Sequence, residues 1–420
     1  MNVSNAQPSV SRGRRTTLLC VLGALCEGVD MQAAGVAAAG IAQQFHPSPG
    51  QLGMFFSAST AGMLIGALIG GRAADNIGRK TVLVVSITLF GLFSLLTPLA
   101  SDMQSLAWFR LLTGLGLGGT FPMLITLVAE SSNPGRQNAN VALVYAGAPL
   151  GGGLISVAAA VIAPEHWRWL FIIGGILPLA LAPAIALWMD ESQAFKTARA
   201  ESAALIAGSR ESAVSKAGSF LAVLREGRAT RTLLLWLSFF LGLSILFLML
   251  NWLPTLLIFH GFSSTQTGGM LIAFNLGGAL SALLMGRMLD SRLRTVSIMS
   301  VFVILPVLFL ALATISSGVT VTAILVFMLG CALLASQTFL YAAAPACYPT
   351  LIRGVGVGAA VAAGRIGAIA GPALGGLLSA RGDSFQQLLI DLLPIVVVGS
   401  ISAIILAFRK GVGRFPSKPV

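Results

Sequence analysis

Residues 71–80 read Gly-Arg-Ala-Ala-Asp-Asn-Ile-Gly-Arg-Lys, and residues 286–294 read Gly-Arg-Met-Leu-Asp-Ser-Arg-Leu-Arg. Both are short polar segments that separate long apolar stretches. Three positions correspond with one constant offset of 215 residues: Gly71 with Gly286, Asp75 with Asp290, and Arg79 with Arg294. Because this offset is about half of the 420-residue chain, the two segments indicate an internal duplication of the whole chain.

The apolar stretches around these segments predict an all-α integral membrane protein. Hydrophobic residues make up 56% of the chain and charged residues 10%, whereas soluble proteins carry about 25% charged residues. A helix of about 20 residues crosses the hydrocarbon core of a bilayer, and lone apolar runs in lipid must satisfy their own backbone hydrogen bonds. Twelve transmembrane helices are predicted, at 16–39, 52–73, 81–100, 104–128, 138–163, 169–189, 231–257, 267–288, 295–315, 320–345, 354–379 and 389–408.

A polar stretch rich in Ala, Ser and charged residues divides the chain near its middle. The predicted organisation is an N-terminal tail (1–15), a first six-helix half (16–189), a central loop (190–230), a second six-helix half (231–408) and a C-terminal tail (409–420). The first span contains Glu27 and Asp30, which the apolar region of a cleavable signal peptide would not tolerate.

The basic residues predict the orientation in the membrane. Of the 26 Lys and Arg residues, 22 fall in segments on one side and only Arg168 and Arg381 on the other. The 22 are Arg12, Arg14, Arg15, Arg72, Arg79, Lys80, Arg136, Lys196, Arg199, Arg210, Lys216, Arg225, Arg228, Arg231, Arg287, Arg292, Arg294, Arg353, Arg409, Lys410, Arg414 and Lys418. Cytoplasmic loops carry such an excess, so both termini are predicted to be cytoplasmic. Basic residues placed in short loops do not line a phosphate groove, and no nucleic-acid partner is predicted despite the net charge of +12.

The pattern Gly71-x-x-x-Asp75-x-x-Gly78-Arg79-Lys80 resembles the loop signature of the major facilitator superfamily. This resemblance implies a twelve-helix carrier in which the loops latch one conformation shut. The latch residues expected from it are Gly71, Asp75, Gly78, Arg79, Lys80, Gly286, Asp290 and Arg294. Two positions depart from the pattern and weaken the expected latch: Asn76 stands where a basic residue is usual, and Leu293 replaces the second glycine.

Four charged residues stand clearly inside the predicted spans, away from the span ends, where each costs at least about 2.5–3.5 kcal/mol to bury. They are Glu27, Asp30, Arg110 and Arg365. The hypothesis is that Asp30 and Glu27 bind and release a driving proton, Arg110 modulates the proton affinity, and Arg365 receives a substrate carboxylate. Two alternatives stay open. Arg110 forms a static ion pair with one of the acids, or Arg365 pairs with one of them instead of the substrate.

Four motifs resemble one branch of the superfamily, the aromatic acid:proton symporters. They are Glu27-Gly28-Val29-Asp30, Gln32-Ala33-Ala34-Gly35, Asn251-Trp252-Leu253-Pro254 and Gly364-Arg365-Ile366-Gly367. The resemblance implies import of a small aromatic carboxylate with protons across a bacterial inner membrane. It also implies a monomer that needs no cofactor beyond the proton gradient.

An aromatic substrate needs flat apolar walls and a few polar groups. The mid-span candidates are Tyr145, Phe274, Asn275, Gln337 and Tyr341, each of which packing alone also explains. A drug–proton antiporter would share the fold, but Arg365 argues against a cationic substrate, and the direction of flux stays open. A membrane enzyme is not expected, and neither is a metal site. The three histidines fall in predicted outer loops and no cysteine has metal-ligand spacing.

Overall fold

The structure is a computed structural model that describes residues 10–133, 136–192, 195, 197, 223–224, 228–289, 291–315, 318–349, 352–381 and 384–409. In this part of the chain, twelve helices are long and apolar enough to cross a membrane. They are α1 (Val10–Phe45), α2 (Pro49–Ile77), α3 (Arg79–Leu96), α4 (Met103–Ser131), α5 (Gln137–Val161), α6 (Arg168–Trp188), α7 (Ala229–Phe259), α8 (Ser264–Leu289), α9 (Arg294–Ile315), α10 (Val319–Ala343), α11 (Arg353–Ser379) and α12 (Phe385–Phe408). The prediction of twelve apolar helices is confirmed, and several helices continue past the predicted spans into the polar flanks.

Short side chains define several helix starts. Ser48 accepts a hydrogen bond from the backbone N–H of Gln51 at 3.3 Å, and the Gln51 side chain accepts one from the backbone N–H of Ser48 at 2.8 Å. Asp102 accepts from the backbone N–H of Ser105 at 2.7 Å at the start of α4. Such caps satisfy N–H groups that have no partner within the helix, so the chain can reverse within a few residues.

Glycines bring α2 and α4 into backbone contact. Gly114 lies against the Ser59 carbonyl and Gly62 against the Leu111 carbonyl, so a Cβ at either glycine would overlap the neighbouring backbone. Without a hydrophobic force between helices in lipid, close van der Waals packing of this kind holds them together. This packing positions one wall of the candidate site described below.

In the described part of the chain, three helix pairs make most of the contacts between the first six helices and the last six: α1 with α7, α2 with α11, and α5 with α8. Gly53 near the start of α2 packs against Gly376 near the end of α11, and Gly268 near the start of α8 packs against Ser156 of α5. These contacts lie toward the end of the bundle where α1 passes into α2 and α11 into α12. The polar segment 71–80 lies at the opposite end.

Some predicted features fall outside the described residues. Asp290 of the expected latch is one of them, and so are residues 198–222 of the central loop and the terminal segments 1–9 and 410–420. The division into tails, halves and loop, together with the cytoplasmic position of the termini, stays a prediction.

Candidate functional site

Asp30 of α1 and Arg110 of α4 form a buried ion pair in the first six helices. Asp30 is fully buried and Arg110 is 1% exposed. The Arg110 Nη1 donates to Asp30 Oδ2 at 2.9 Å, and its Nη2 donates to Ser59 Oγ at 3.2 Å. The Ser94 hydroxyl donates to Asp30 Oδ1 at 2.6 Å. Both carboxylate oxygens therefore have a donor, and the pair ties α1 to α2, α3 and α4.

Glu27 lies three residues before Asp30 on the same face of α1 and has a different environment. Its side chain is 2% exposed, and its Oε2 has no hydrogen-bond partner. Asp30 and Arg365 of α11 act on it electrostatically, but Arg365 forms no salt bridge with it. A buried carboxyl oxygen without a hydrogen-bond partner is costly, so a function beyond packing is the usual reason for retaining one.

Arg365 enters the middle of the bundle from α11. Gly364 and Gly367, its neighbours in the chain, pack against Phe239 and the Phe240 carbonyl of α7, which fixes the orientation of α11. The Arg365 Nη1 contacts the Met63 sulfur of α2 at 3.9 Å, and a thioether is a weak acceptor. Within the described part of the chain, no acidic side chain lies at salt-bridge distance from this guanidinium.

Two tyrosines predicted at mid-span lie nearer the helix ends: Tyr145 is in the first half of α5, and Tyr341 is in the last turn of α10. Tyr145 is 41% exposed and packs edge-to-face on Phe121, with 5.2 Å between ring centroids. Tyr341 packs edge-to-face on Phe239 at 5.1 Å. The two phenols are close enough to interact electrostatically. They provide two aromatic surfaces, one from each set of six helices.

Gln337 lies one turn before Tyr341 on α10. Its side chain is 5% exposed, and neither its amide nitrogen nor its amide oxygen has a hydrogen-bond partner. Gly242 of α7 leaves room beside it, since a Cβ there would lie 3.0 Å from Gln337 Nε2. Phe274 differs, because it is 2% exposed and packs through its backbone on Gly330.

The side-chain amide of Asn275 bonds to Gln32 of α1 and donates to the Leu271 carbonyl of its own helix at 2.8 Å. Gln32 Nε2 donates to Asn275 Oδ1 at 2.6 Å, and Asn275 Nδ2 donates back to Gln32 Oε1 at 2.9 Å. Gly152 of α5 faces this reciprocal pair, and a Cβ there would overlap the Gln32 amide. Sequence reasoning placed Asn275 in the site but missed Gln32, which lies within the quoted Gln32-Ala33-Ala34-Gly35 motif.

The expected latch segment contacts partners that sequence reasoning missed. The carboxylate of Glu191, just after α6, accepts hydrogen bonds from the backbone N–H groups of Arg79 and Lys80, each at 3.1 Å. The Arg79 side chain forms an ion pair with Glu130 at the end of α4 and donates to Ser192 Oγ at 2.7 Å. A signal was present in the sequence, because Glu130 and Glu191 both lie beside predicted loops on the side of segment 71–80.

The glycines of the latch differ in their surroundings. Gly78 joins α2 to α3 with a φ of +99°, a conformation that residues with a side chain rarely adopt. A Cβ at Gly71 or at Gly286 would meet nothing within 4 Å. Asp75 is exposed and forms no ion pair with a described residue, while Arg294 begins α9.

Comparisons with known proteins agree on the class of this chain. Residues 20–372 match the family model of the Major Facilitator Superfamily. The chain is 40% identical to the 3-(3-hydroxy-phenyl)propionate transporter of Escherichia coli strain K12, over 98% of both chains. It is 34% identical to the 4-hydroxybenzoate transporter PcaK of Pseudomonas putida, over 96% of this chain and 94% of that one.

Among solved structures, the D-xylose-proton symporter superposes with a TM-score of 0.72 at 16% sequence identity, covering 95% of this chain and 98% of that one. This similarity concerns the fold alone. The matching family model, the transporter relatives and the twelve membrane helices lead to one conclusion. The chain belongs to the Major Facilitator Superfamily and is a multi-pass membrane transporter, not an enzyme.

Proposed function

We propose that the protein is a secondary active transporter that imports an aromatic carboxylate together with protons, by alternating access between two six-helix halves. The proposal rests on one observation: the guanidinium of Arg365 lies in the middle of the bundle and has no acidic partner among the described residues. Glu27 lies near Arg365, forms no salt bridge with a described residue, and supplies a group that can exchange a proton. The protein acts in the inner membrane, as a monomer and without a cofactor.

The substrate is an aromatic acid such as 3-(3-hydroxyphenyl)propionate. A planar guanidinium matches a carboxylate with two parallel hydrogen bonds, so Arg365 binds the acid group. Tyr145 and Tyr341 flank the ring, and the unpartnered amide of Gln337 offers a donor and an acceptor to a polar ring substituent. Phe274 and Asn275 of α8 belong to the same proposed set, although Phe274 is buried and Asn275 is paired with Gln32 in this conformation. The aromatic acids named for two relatives support this substrate class.

Glu27 is the better candidate for the proton-carrying group, with Asp30 and Arg110 in support. Asp30 is already paired with Arg110 and accepts a hydrogen bond from Ser94. Glu27 gains or loses a proton without breaking an ion pair. A substrate carboxylate on Arg365 changes the charge felt by Glu27, which links substrate binding to proton binding.

The packing supports an inward-facing state. The contacts of Gly53 with Gly376 and of Gly268 with Ser156 close the end of the bundle that lies opposite segment 71–80. The distribution of Lys and Arg predicts that segment 71–80 and both termini are cytoplasmic. Alternating access then requires these contacts to separate while the cytoplasmic end closes.

Uptake in proteoliposomes tests the substrate class. Radiolabelled 3-(3-hydroxyphenyl)propionate is offered with competing aromatic acids, aliphatic acids and cationic drugs. We expect competition by aromatic acids and none by the cations. Competition by cationic drugs alone would contradict the proposal and favour an efflux antiporter, and competition by aliphatic acids alone would favour another organic anion.

A further inference from the structure

A groove with a volume of about 440 Å³ lies between α8, α9 and α10. Its volume falls within the range of about 300–1,000 Å³ that is typical of ligand pockets. Several lining side chains are strongly exposed on the outside of the bundle, among them Leu284 at 45%, Val296 at 62% and Met328 at 41%. The groove therefore opens toward the lipid rather than toward the central site.

The polar groups of the lining are satisfied within their own helices. Ser281 donates its hydroxyl to the Gly278 carbonyl at 3.0 Å, Ser297 to Leu293 at 2.8 Å, and Ser300 to Val296 at 2.8 Å. No serine hydroxyl hydrogen in this lining is left to donate to a carboxylate, and the other lining residues are apolar apart from the thiol of Cys331. The lining therefore favours an apolar occupant over the carboxylate substrate.

A difference between α4 and α10 explains why the groove exists. The contact of Gly114 in α4 with Ser59 in α2 has a counterpart in the contact of Gly330 in α10 with Phe274 in α8. Gly116 and Gly119 follow Gly114 by two and five residues in α4, and both lie against α3. A Cβ at Gly116 would lie 2.6 Å from the Ser86 carbonyl oxygen.

In α10 the residues two and five positions beyond Gly330 are Ala332 and Ala335, and both line the groove. In the first six helices, the backbone of α3 comes close to α4 because Gly116 and Gly119 have no side chains. In the second six helices, the methyl groups of Ala332 and Ala335 fill the corresponding space. We therefore attribute the separation of α9 from α10 to these two alanines. The groove is built into the sequence of the second six helices.

Positive charge stands at one end of the groove. Arg287 lies on the last turn of α8, between the lining residues Leu284 and Met288. Arg292 directly precedes the lining residue Leu293, and both arginines are exposed. Basic residues next to a membrane attract anionic lipid headgroups.

We propose that this groove binds one acyl chain of a phospholipid whose anionic headgroup is held by Arg287 and Arg292. The apolar lining selects the acyl chain, and the two arginines select the charge of the headgroup. This lipid is bound at a specific site, in contrast to the lipid that covers the rest of the bundle.

Native mass spectrometry of the purified protein with phosphatidylglycerol and with phosphatidylcholine tests the proposal. We expect one phosphatidylglycerol to survive detergent washing and phosphatidylcholine to be lost. Replacement of both Arg287 and Arg292 by Ala should weaken phosphatidylglycerol binding about 30-fold. Each arginine near the membrane surface contributes about 1 kcal/mol, and every 1.4 kcal/mol corresponds to about tenfold in affinity. Ser300→Phe should abolish the retained lipid, because the ring fills the groove.

Two matched controls accompany these variants. Arg72→Ala removes the arginine that corresponds to Arg287 in the first loop, and Val303→Phe adds a ring to the lipid-facing side of α9 outside the groove. Both controls should retain phosphatidylglycerol as the wild type does. Equal retention of the two lipids by the wild type, or equal retention of phosphatidylglycerol by all variants, would overturn the proposal and leave non-specific lipid only. The readout needs no transport substrate, so it is independent of the proposed function.

Discussion

At the scale of single residues, the two acids of α1 differ in their partners. Asp30 has a donor on each carboxylate oxygen, from Arg110 and from Ser94, whereas the Oε2 of Glu27 has none. The sequence hypothesis put Asp30 first in proton binding and Glu27 second. We propose the reverse order, because Glu27 can exchange a proton without losing an ion pair with a described residue.

Replacement of Glu27 by Gln tests this order. The variant keeps the shape of the side chain but cannot exchange a proton, so we expect it to lose gradient-driven accumulation and to keep substrate exchange. Counterflow and gradient-driven uptake in the same proteoliposomes measure the two activities. Asp30→Asn is the comparison. It leaves Arg110 buried without its partner, which costs about 3–5 kcal/mol and lowers the yield of folded protein. Full accumulation by Glu27→Gln would remove Glu27 from the coupling role.

Replacement of Arg365 by Lys tests the substrate contact. Lysine keeps the positive charge but loses the planar fork that matches a carboxylate. We expect KM for the aromatic acid to rise about tenfold or more, since one hydrogen bond to a charged group contributes about 1.5–3 kcal/mol. Met63→Leu, which changes the neutral neighbour of Arg365, should leave KM nearly unchanged. An unaltered KM in Arg365→Lys would exclude two-point binding of the carboxylate.

At the scale of helices and loops, the segment between α2 and α3 is held by carboxylates from two other parts of the chain. Glu191 caps the start of α3, and Glu130 pairs with Arg79. These contacts join the ends of α2, α3, α4 and α6. In this conformation the described partners of Arg79 and Lys80 therefore lie within the first six helices.

Two glycines of this segment give a matched pair of variants. Gly78→Ala places a methyl group at a φ of +99° and against the Glu191 carboxylate, so we expect it to destabilise the protein by about 1–2 kcal/mol. Gly71→Ala adds the same methyl group where nothing lies within 4 Å and should be neutral. Thermal unfolding of the two purified variants measures the difference. Equal melting temperatures would contradict the role of Gly78 in the turn.

The helices were predictable from the sequence, and their partners were not. Apolar length alone located α1 to α12, because lipid forces each apolar run to form a helix. The capping of α3 by Glu191 depends on the position of the end of α6 relative to α3. No local sequence pattern predicts that position. Gln32 was missed for a similar reason. Its partner Asn275 is 243 residues away in the chain, and a single sequence does not reveal that the two side chains meet in the fold.

At the scale of the whole molecule, the Gln32–Asn275 pair connects α1 to α8 across the two sets of helices. Both amides are buried, and each donates to the other. Opening of the end that carries the Gly53–Gly376 contact requires α1 and α8 to separate. The amide pair therefore stabilises the conformation seen here.

Asn275→Ala should shift the population toward the opposite conformation. Distance measurements between spin labels on α2 and α11, placed near Gly53 and Gly376, report the separation of that end. We expect a larger long-distance fraction in Asn275→Ala and in Gln32→Ala, with no further increase when both are combined. Additive effects of the two substitutions would show that the amides act independently.

Gradient-driven accumulation tests most directly whether an aromatic acid enters together with protons. Purified protein in proteoliposomes is given labelled 3-(3-hydroxyphenyl)propionate, with the external pH set either below the internal pH or equal to it. We predict uptake above the equilibrium level only with the inward proton gradient, and loss of this accumulation when a protonophore is added. Accumulation that is the same with and without the gradient would contradict proton-coupled import.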